Sequence, residues 1–184
     1  MHNQKDLNMD YPIIFLDIDH VLTNTEIDNT SYLHHDPSKY ALSEYNLKNL
    51  DFILDKCGAK IVIASNWRRF EPPRISWTYN GKQYESQLPK FRKQYSQYII
   101  DDLPHDRHIT KSEALELWCE DHMDDFSKST SRYVILEDDP NEGYQDNMFF
   151  NKHLVLTDYR YGLLEKDVAK ALKILTENNY EQYK

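Results

Sequence analysis

Residues 13–22 read Ile-Ile-Phe-Leu-Asp-Ile-Asp-His-Val-Leu, an apolar run followed by two aspartates that are separated by one residue. A continuous apolar run of this kind is typical of a buried strand in a parallel sheet. Asp17 and Asp19 then lie at the carboxyl end of that strand, where such sheets bind ligands. Alternation along an extended chain directs both carboxylates the same way. Because close carboxylates repel each other, the pair indicates a divalent cation with oxygen ligands, and Mg²⁺ is the simplest choice.

Length and composition are those of a soluble protein with one domain, spanning residues 1–184. This length is enough to bury a hydrophobic core. The 22 Lys and Arg residues against 31 Asp and Glu give a net charge of −9, which argues against general binding to nucleic acid or to an anionic membrane surface. Two cysteines, no signal-peptide pattern and no apolar run of membrane-spanning length lead us to expect a cytoplasmic protein without a membrane partner.

Further apolar runs predict more strands, and helical periodicity separates them. Ser43 has the character of a helix N-cap, and Gly58 ends a segment whose leucines recur at helical spacing. A later helix begins at Thr110 or Ser112 and runs through Trp118. The alternation of strands and helices predicts an α/β domain with a doubly wound parallel sheet. The predicted strands cover residues 13–17, 60–64, 133–136 and 153–156.

Polar residues follow the ends of three of these strands. Besides the two aspartates after the first strand, Ser65 and Asn66 follow the second, and the acidic run 137–139 follows the third. Lys111 lies before the third strand. Because the carboxyl ends of parallel strands meet at one edge of a sheet, we expect these side chains to lie together. The joint placement is more specific than any one of these motifs.

Between residues 67 and 103 the chain has a different character. Residues 67–100 contain seven Lys or Arg, two acidic residues and eight aromatic residues. Asn80-Gly81 is a hairpin-type turn between tyrosine-rich flanks. We interpret the segment as an insertion with two alternative roles. It forms a substrate wall that attracts phosphate and stacks on bases, or its aromatic residues simply cover the core.

The motifs FLDIDHVL, IVIAS, Lys111 and VILEDD occur in the order found in the haloacid dehalogenase (HAD) superfamily of phosphatases and phosphotransferases. The chain resembles that superfamily over about residues 12–160. Within it, ASNWR, VILEDD and the closing TDYRYGLLEKD resemble the small HAD domains associated with RNA-repair proteins. The resemblance implies a HAD-like Rossmannoid fold, and no large cap domain is evident.

The resemblance also implies the chemistry of the two aspartates. Asp17 would be the nucleophile that forms an aspartyl-phosphate, and Asp19 would protonate the leaving oxygen and then activate water. Mg²⁺ would be held by the Asp17 carboxylate, the main-chain carbonyl of Asp19 and Asp138. Ser65 and Lys111 would bind the phosphoryl oxygens.

Further contacts to substrate are assigned by residue type. Asn66 and Arg68 would add substrate contacts, since a guanidinium matches phosphate. Arg107 is an alternative to Lys111, because no proline follows Lys111 as the motif would have it. His20 stands where most members of the superfamily have glycine.

Glu137 stands where an aspartate is usual, and its part in the metal site stays open. Asp138 is the better candidate for a metal ligand, and Asp139 is expected to form the turn before Pro140. Which of these three acidic residues bind the metal is not fixed by the sequence.

These features lead to the expectation of a Mg²⁺-dependent phosphatase acting on a phosphomonoester. An open site favours large substrates, so we rank a polynucleotide end first, a nucleotide or small phosphomonoester second and a phosphoprotein third. The alternative outside enzymes is a non-catalytic HAD-like module that binds phosphate, metal or a partner. The sequence predicts no oligomeric state.

Overall fold

The computed structural model describes residues 11–23, 42–70, 76–79, 82–85, 87–106, 108–122 and 132–176. Its strands are β1 (Ile13–Leu16), β2 (Lys60–Ile63), β3 (Ser76–Tyr79), β4 (Lys82–Glu85), β5 (Ile99–Asp102), β6 (Tyr133–Glu137) and β7 (Leu154–Leu156). Five of them form one parallel sheet in the order β5-β2-β1-β6-β7, and β3 and β4 form a separate antiparallel hairpin. The four predicted strands are confirmed to within one residue at each end.

Helices cover both faces of the sheet, which confirms the predicted α/β doubly wound architecture. They are α1 (Glu44–Cys57), α2 (Leu88–Gln94), α3 (Lys111–His122), α4 (Met148–Asn151) and α5 (Glu165–Thr176). Short 3₁₀ helices span Asn66–Phe70 and Pro140–Glu142. None of the helices described here has the length and the apolar character that crossing a membrane requires.

The central strand β1 divides its side chains between two cores. Ile14 and Leu16 pack with residues of α1, α2 and α5, whereas Ile13 and Phe15 pack with residues of α3 and α4. The Phe15 ring meets Trp118 edge-on at 5.2 Å between centroids. Each fully buried side chain of this size contributes about 1.5–3 kcal/mol. The strand that carries Asp17 is therefore held from both faces.

Both helices next to the site begin at side-chain caps. The Ser43 hydroxyl accepts from the main-chain N–H of Asn46, and Gly58 ends α1 in the left-handed conformation at φ 64°, as predicted. At α3 the Thr110 hydroxyl accepts from the Glu113 N–H at 3.2 Å, and the Glu113 carboxylate accepts from the Thr110 N–H at 2.7 Å. This is a capping box, so Thr110 rather than Ser112 caps the helix. Lys111 is its first residue, and the helix extends to His122, beyond the predicted Trp118.

The segment 67–103 contains more regular structure than the sequence predicts. β3 and β4 pair as antiparallel strands, and the Asn80-Gly81 turn predicted between them lies outside the described residues. Beyond them, α2 packs in the core and β5 pairs with β2 as the edge strand of the sheet. β5 reads Ile-Ile-Asp-Asp and is half-buried, so it lacks the apolar run that identifies the central strands. The last part of the segment thus belongs to the sheet rather than to an insertion.

Candidate active site

The predicted polar residues converge at the carboxyl edge of the sheet. Asp17 follows β1, and its main-chain N–H donates to the Leu136 carbonyl of β6 at 3.0 Å. On the other side, the Ala64 N–H donates to the Leu16 carbonyl at 2.8 Å, which brings Ser65 beside the end of β1. Because β1 lies between β2 and β6, the three polar strand ends meet at one place, as expected.

Lys111 is the buried cation of the site. Its Nζ lies 2.9 Å from Asp17 Oδ2 and 2.8 Å from Glu137 Oε2, and the Lys111 side chain is only 8% exposed. Burial acts to lower the pKa of Lys111, but the attraction of Asp17 and Glu137 outweighs it and the pKa is raised. Lys111 therefore stays protonated against the carboxylate predicted to be the nucleophile. Arg107, the alternative cation, lies outside the described residues.

The Glu137 carboxylate connects Lys111 to the backbone of the acidic turn. One of its oxygens contacts Lys111, and the other, Oε1, accepts from the N–H groups of Asp138 and Asp139 at 3.1 and 3.2 Å. Burial and then the nearby Asp17 charge raise the pKa of Glu137 well above its usual range, and Lys111 opposes that rise. Both carboxylate oxygens of Glu137 are thus engaged by donors within the protein.

Asp138 and Asp139 differ in what their carboxylates contact. Asp139 Oδ1 accepts from the main-chain N–H of Asn141 at 2.8 Å and from its side chain at 2.9 Å, so Asp139 forms the turn. Among the described residues, none donates a hydrogen bond to the Asp138 carboxylate. Burial and then Asp17 raise the pKa of Asp138 to about 6. Of the three acidic residues 137–139, Asp138 has the carboxylate that is open to a ligand.

The donor set fits a divalent cation. One oxygen each of Asp17, Glu137 and Asp138 lies within 4.8 Å of the others. Lys111 contacts two of these three acidic groups, Asp17 and Glu137, so the acidic groups outnumber the cation that contacts them. Clustered carboxylate oxygens with an excess negative charge are the ligands that Mg²⁺ prefers.

Asp19 lies beside this cluster and is partly buried. Burial raises the pKa of Asp19, while the neighbouring His20 and a hydrogen bond from the Trp67 side chain act to lower it. Its Oδ1 is buried without a hydrogen-bond partner in the described part of the chain. A carboxyl group with a raised pKa and an unused oxygen has the properties of a general acid.

The residues after β2 are placed differently from one another. Ser65 is fully buried and its hydroxyl oxygen accepts from the Trp67 N–H at 3.2 Å, whereas Asn66 is exposed. Arg68 donates to main-chain carbonyls, from Nε to Ser65 at 2.7 Å and from Nη1 to Leu103, and its charge also interacts with that of Asp17. The Arg68 guanidinium thus links the ends of β2 and β5. Its expected contact with substrate stays a prediction.

The loop after β7 also reaches the site, whereas its sequence, TDYRYGLLEKD, indicated a family resemblance but no site residue. The Thr157 hydroxyl donates to the His20 carbonyl at 3.3 Å, and the Leu163 N–H donates to the Val21 carbonyl at 2.8 Å. Its place at the site could have been predicted, since Thr157 and Asp158 follow the fourth predicted strand at the same edge of the sheet. The loop carries no acidic pair or phosphate-binding motif, so a search for motifs does not identify it.

Comparison with known families is consistent with this geometry. A model of the family described as "HAD domain in Swiss Army Knife RNA repair proteins" matches residues 13–168. Neither the curated proteins nor the solved structures gave a match. The match covers most of the chain, including every strand and both aspartates after β1. The chain therefore belongs to this family of HAD domains and, with it, to the HAD superfamily.

Proposed function

We propose that the protein is a Mg²⁺-dependent phosphomonoester hydrolase that forms an aspartyl-phosphate on Asp17. The observation that carries the proposal is the contact of 2.9 Å between Lys111 Nζ and Asp17 Oδ2. An ammonium has three N–H donors, and Asp17 and Glu137 take two of them. Glu142 Oε1 lies farther away, at 3.8 Å from Nζ, so the third N–H can turn to an oxygen of a phosphoryl group that approaches Asp17.

The chemistry needs two steps from the residues of this chain. In the first, an Asp17 oxygen attacks phosphorus, the bond to the ester oxygen breaks, and Asp19 protonates that oxygen as it leaves. In the second, Asp19 takes a proton from water, the water oxygen attacks phosphorus, and the bond to Asp17 breaks to release phosphate. The raised pKa of Asp19 suits its role as the acid of the first step.

The metal has a defined place in this proposal. Asp17, Asp138 and the main-chain carbonyl of Asp19 would hold Mg²⁺, and the bound ion would offset the negative charges that oppose an incoming phosphate. Glu137 would stay outside the coordination shell, because Lys111 and two N–H groups already engage its oxygens.

The substrate we propose is the phosphorylated end of a polynucleotide. Two observations support it: the family is described by its occurrence in RNA repair proteins, and no large cap closes over the sheet edge in the described part of the chain. The basic side chains of Arg69 and Arg74, expected to contribute to a substrate wall, lie outside what the structure describes.

The test is phosphate release with and without Mg²⁺ from a panel of substrates. The panel holds an aliphatic phosphate ester, mononucleotides, 3′- and 5′-phosphorylated oligonucleotides and a phosphopeptide. We expect Mg²⁺-dependent release that is fastest from an oligonucleotide end. Asp17→Asn should reduce release to background, while the matched variant Asp55→Asn, on the exposed side of α1, keeps wild-type rates. If the folded protein releases no phosphate from any substrate, the proposed phosphatase activity is refuted. If it prefers the phosphopeptide, the proposed polynucleotide substrate is refuted.

A further inference from the structure

The leaving group of the proposed reaction must lie next to Asp19. A general acid has to be within hydrogen-bond reach of the oxygen it protonates. That oxygen joins the phosphoryl group to the rest of the substrate, so the rest of the substrate faces the residues beside Asp19. The residue that follows Asp19 is His20, and the loop after β7 packs directly against it.

His20 is held in an unfavourable conformation at this position. Its φ is 51°, in the left-handed region, and it is the only non-glycine residue in the described chain with a positive φ. Its Nδ1 is buried without a hydrogen-bond partner among the residues described. Strained backbone and unsatisfied polar groups concentrate at sites of function. The position therefore points to a role for the imidazole that local stability does not explain.

The turn 158–162 presents an aromatic surface next to this imidazole. Tyr159 meets the His20 ring edge-on, with 6.4 Å between centroids and 86° between planes, and Tyr159 is still 39% exposed. The Arg160 guanidinium lies over the rings of Tyr159 and Tyr161, 5.8 and 5.1 Å from their centroids. These four side chains place aromatic and guanidinium planes beside the position of the leaving group.

The turn is held in place by close backbone packing. Gly162 has φ 70°, and a Cβ there would lie 2.2 Å from Asn46 Nδ2 and 2.7 Å from the Val21 carbonyl oxygen. The Gly162 N–H donates to the Asp158 carbonyl at 2.8 Å. Because the turn is anchored on the segment that follows Asp19, its aromatic side chains have a defined position relative to the acid.

The charge of Arg160 is already compensated within the turn. Its Nε and Nη2 lie 2.9 and 2.6 Å from the two oxygens of Asp158. A guanidinium that already forms a bidentate ion pair with a carboxylate is a poor binding site for a phosphate of the substrate. It remains a flat surface on which a base can stack. The surface therefore suits a planar uncharged group better than an anion.

We propose that His20, Tyr159 and Arg160 form a stacking surface for the nucleobase of the nucleoside that leaves in the reaction. The proposal rests on the proposed function and specifies its substrate, since it assigns the recognition of the base to these residues. An aliphatic phosphate ester has no ring to place there, so the surface would favour nucleotides over such esters.

The variant Tyr159→Ala tests the surface by the ratio of two specificity constants, kcat/KM for a phosphorylated oligonucleotide over kcat/KM for glycerol phosphate. Loss of one stacked base corresponds to about 1–3 kcal/mol, so this ratio should fall about 5- to 150-fold. Tyr159→Phe keeps the ring and should restore most of the preference. Phe52→Ala removes an exposed aromatic ring from α1, with 48% exposure against 39% for Tyr159, and serves as the control. An unchanged ratio in Tyr159→Ala would overturn the proposal.

A binding measurement separates this proposal from the proposed function. The dissociation constant for the same oligonucleotide is compared between Asp17→Asn and Asp17→Asn/Tyr159→Ala by calorimetric titration. We expect weaker binding of the oligonucleotide in the double variant and equal binding of inorganic phosphate in both. Equal affinity for the oligonucleotide, or no binding by either variant, would refute the stacking surface whatever the result of the turnover assay.

Discussion

Lys111→Met tests the buried charge cluster by removing the cation that contacts both Asp17 and Glu137. Lys111 contacts Asp17 and Glu137 at 2.9 and 2.8 Å, and the two acidic residues are 3% and 1% exposed. Methionine has nearly the same length, so the main loss is the charge. Removing one partner of a buried ion pair costs about 3–5 kcal/mol, because the other charge stays buried without compensation. In Lys111→Met the carboxylates of Asp17 and Glu137 both remain buried without the cation that lies between them.

The expected loss is large enough to measure by thermal unfolding. For a chain of this size each kcal/mol shifts Tm by about 2–4 °C, so Lys111→Met should lower Tm by roughly 6–20 °C. The double variant Lys111→Met/Glu137→Gln also removes one of the two negative carboxylates that repel each other. It should therefore recover part of the lost stability, with a coupling energy of at least about 1 kcal/mol. The measurements are made by circular dichroism at pH 7 with a chelator, so that bound metal does not contribute to stability.

The matched control is a short ion pair on the surface. Arg160 and Asp158 form a bidentate contact at 2.6 Å between the closest atoms, yet the pair is exposed to solvent. Arg160→Met should therefore lower Tm far less than Lys111→Met does, because exposed pairs are screened by water. A loss below about 1 kcal/mol in Lys111→Met would refute the reasoning, since it would mean that the cluster behaves like such a surface pair.

Three further predictions concern single residues. His20→Gly should be more stable than His20→Ala by about 1 kcal/mol, because only glycine adopts φ 51° without strain; urea unfolding at neutral pH measures the difference, and alanine being equal or better would contradict it. Gly162→Ala should lose more than about 1 kcal/mol, since its Cβ would meet main-chain oxygens at 2.7 and 2.8 Å; a wild-type urea midpoint would show that the turn can move. Burial lowers the pKa of His153, so the folded state holds the ring neutral while the unfolded chain takes up a proton below pH about 6.5. The stability that His153 contributes is therefore complete above that pH and is lost as the pH falls, by up to about 1.4 kcal/mol per pH unit. His153→Gln should remove this part of the pH dependence of the free energy of unfolding between pH 7 and 5. An identical pH dependence in wild type and variant would contradict the assignment.

The central part of the site was predictable because it follows from strand periodicity. A buried parallel strand needs an unbroken apolar run, so the ends of β1 and β6 could be located to within a residue. The positions of Asp17 and Asp138 at one edge then followed from the parallel topology alone. The caps Ser43 and Gly58 were predictable for a similar reason, since each satisfies a local backbone requirement.

What the sequence did not reveal depends on contacts between distant segments. β5 is an edge strand, so it needs only half-burial and carries two aspartates where a central strand would carry apolar residues. Arg68 was predicted to contact substrate because a guanidinium suits phosphate, and the sequence did not reveal that it also joins the ends of β2 and β5 through main-chain carbonyls. The engagement of Glu137 by Lys111 and two N–H groups joins three separate parts of the chain, and no local pattern encodes it.

The net charge of −9 repels a polyanionic substrate at long range, but recognition at the site depends on charges that act at short range. At physiological salt, charges more than about 8 Å apart are largely screened. A substrate at the sheet edge would therefore respond mainly to the groups within that distance. Under the proposed function these are Lys111, a bound divalent cation and a surface whose one exposed arginine is already paired with Asp158. Recognition would then depend on one phosphoryl group and one stacked base rather than on many backbone contacts. Such a protein can be acidic overall and still act on the end of a nucleic acid, because the end is all that it needs to bind.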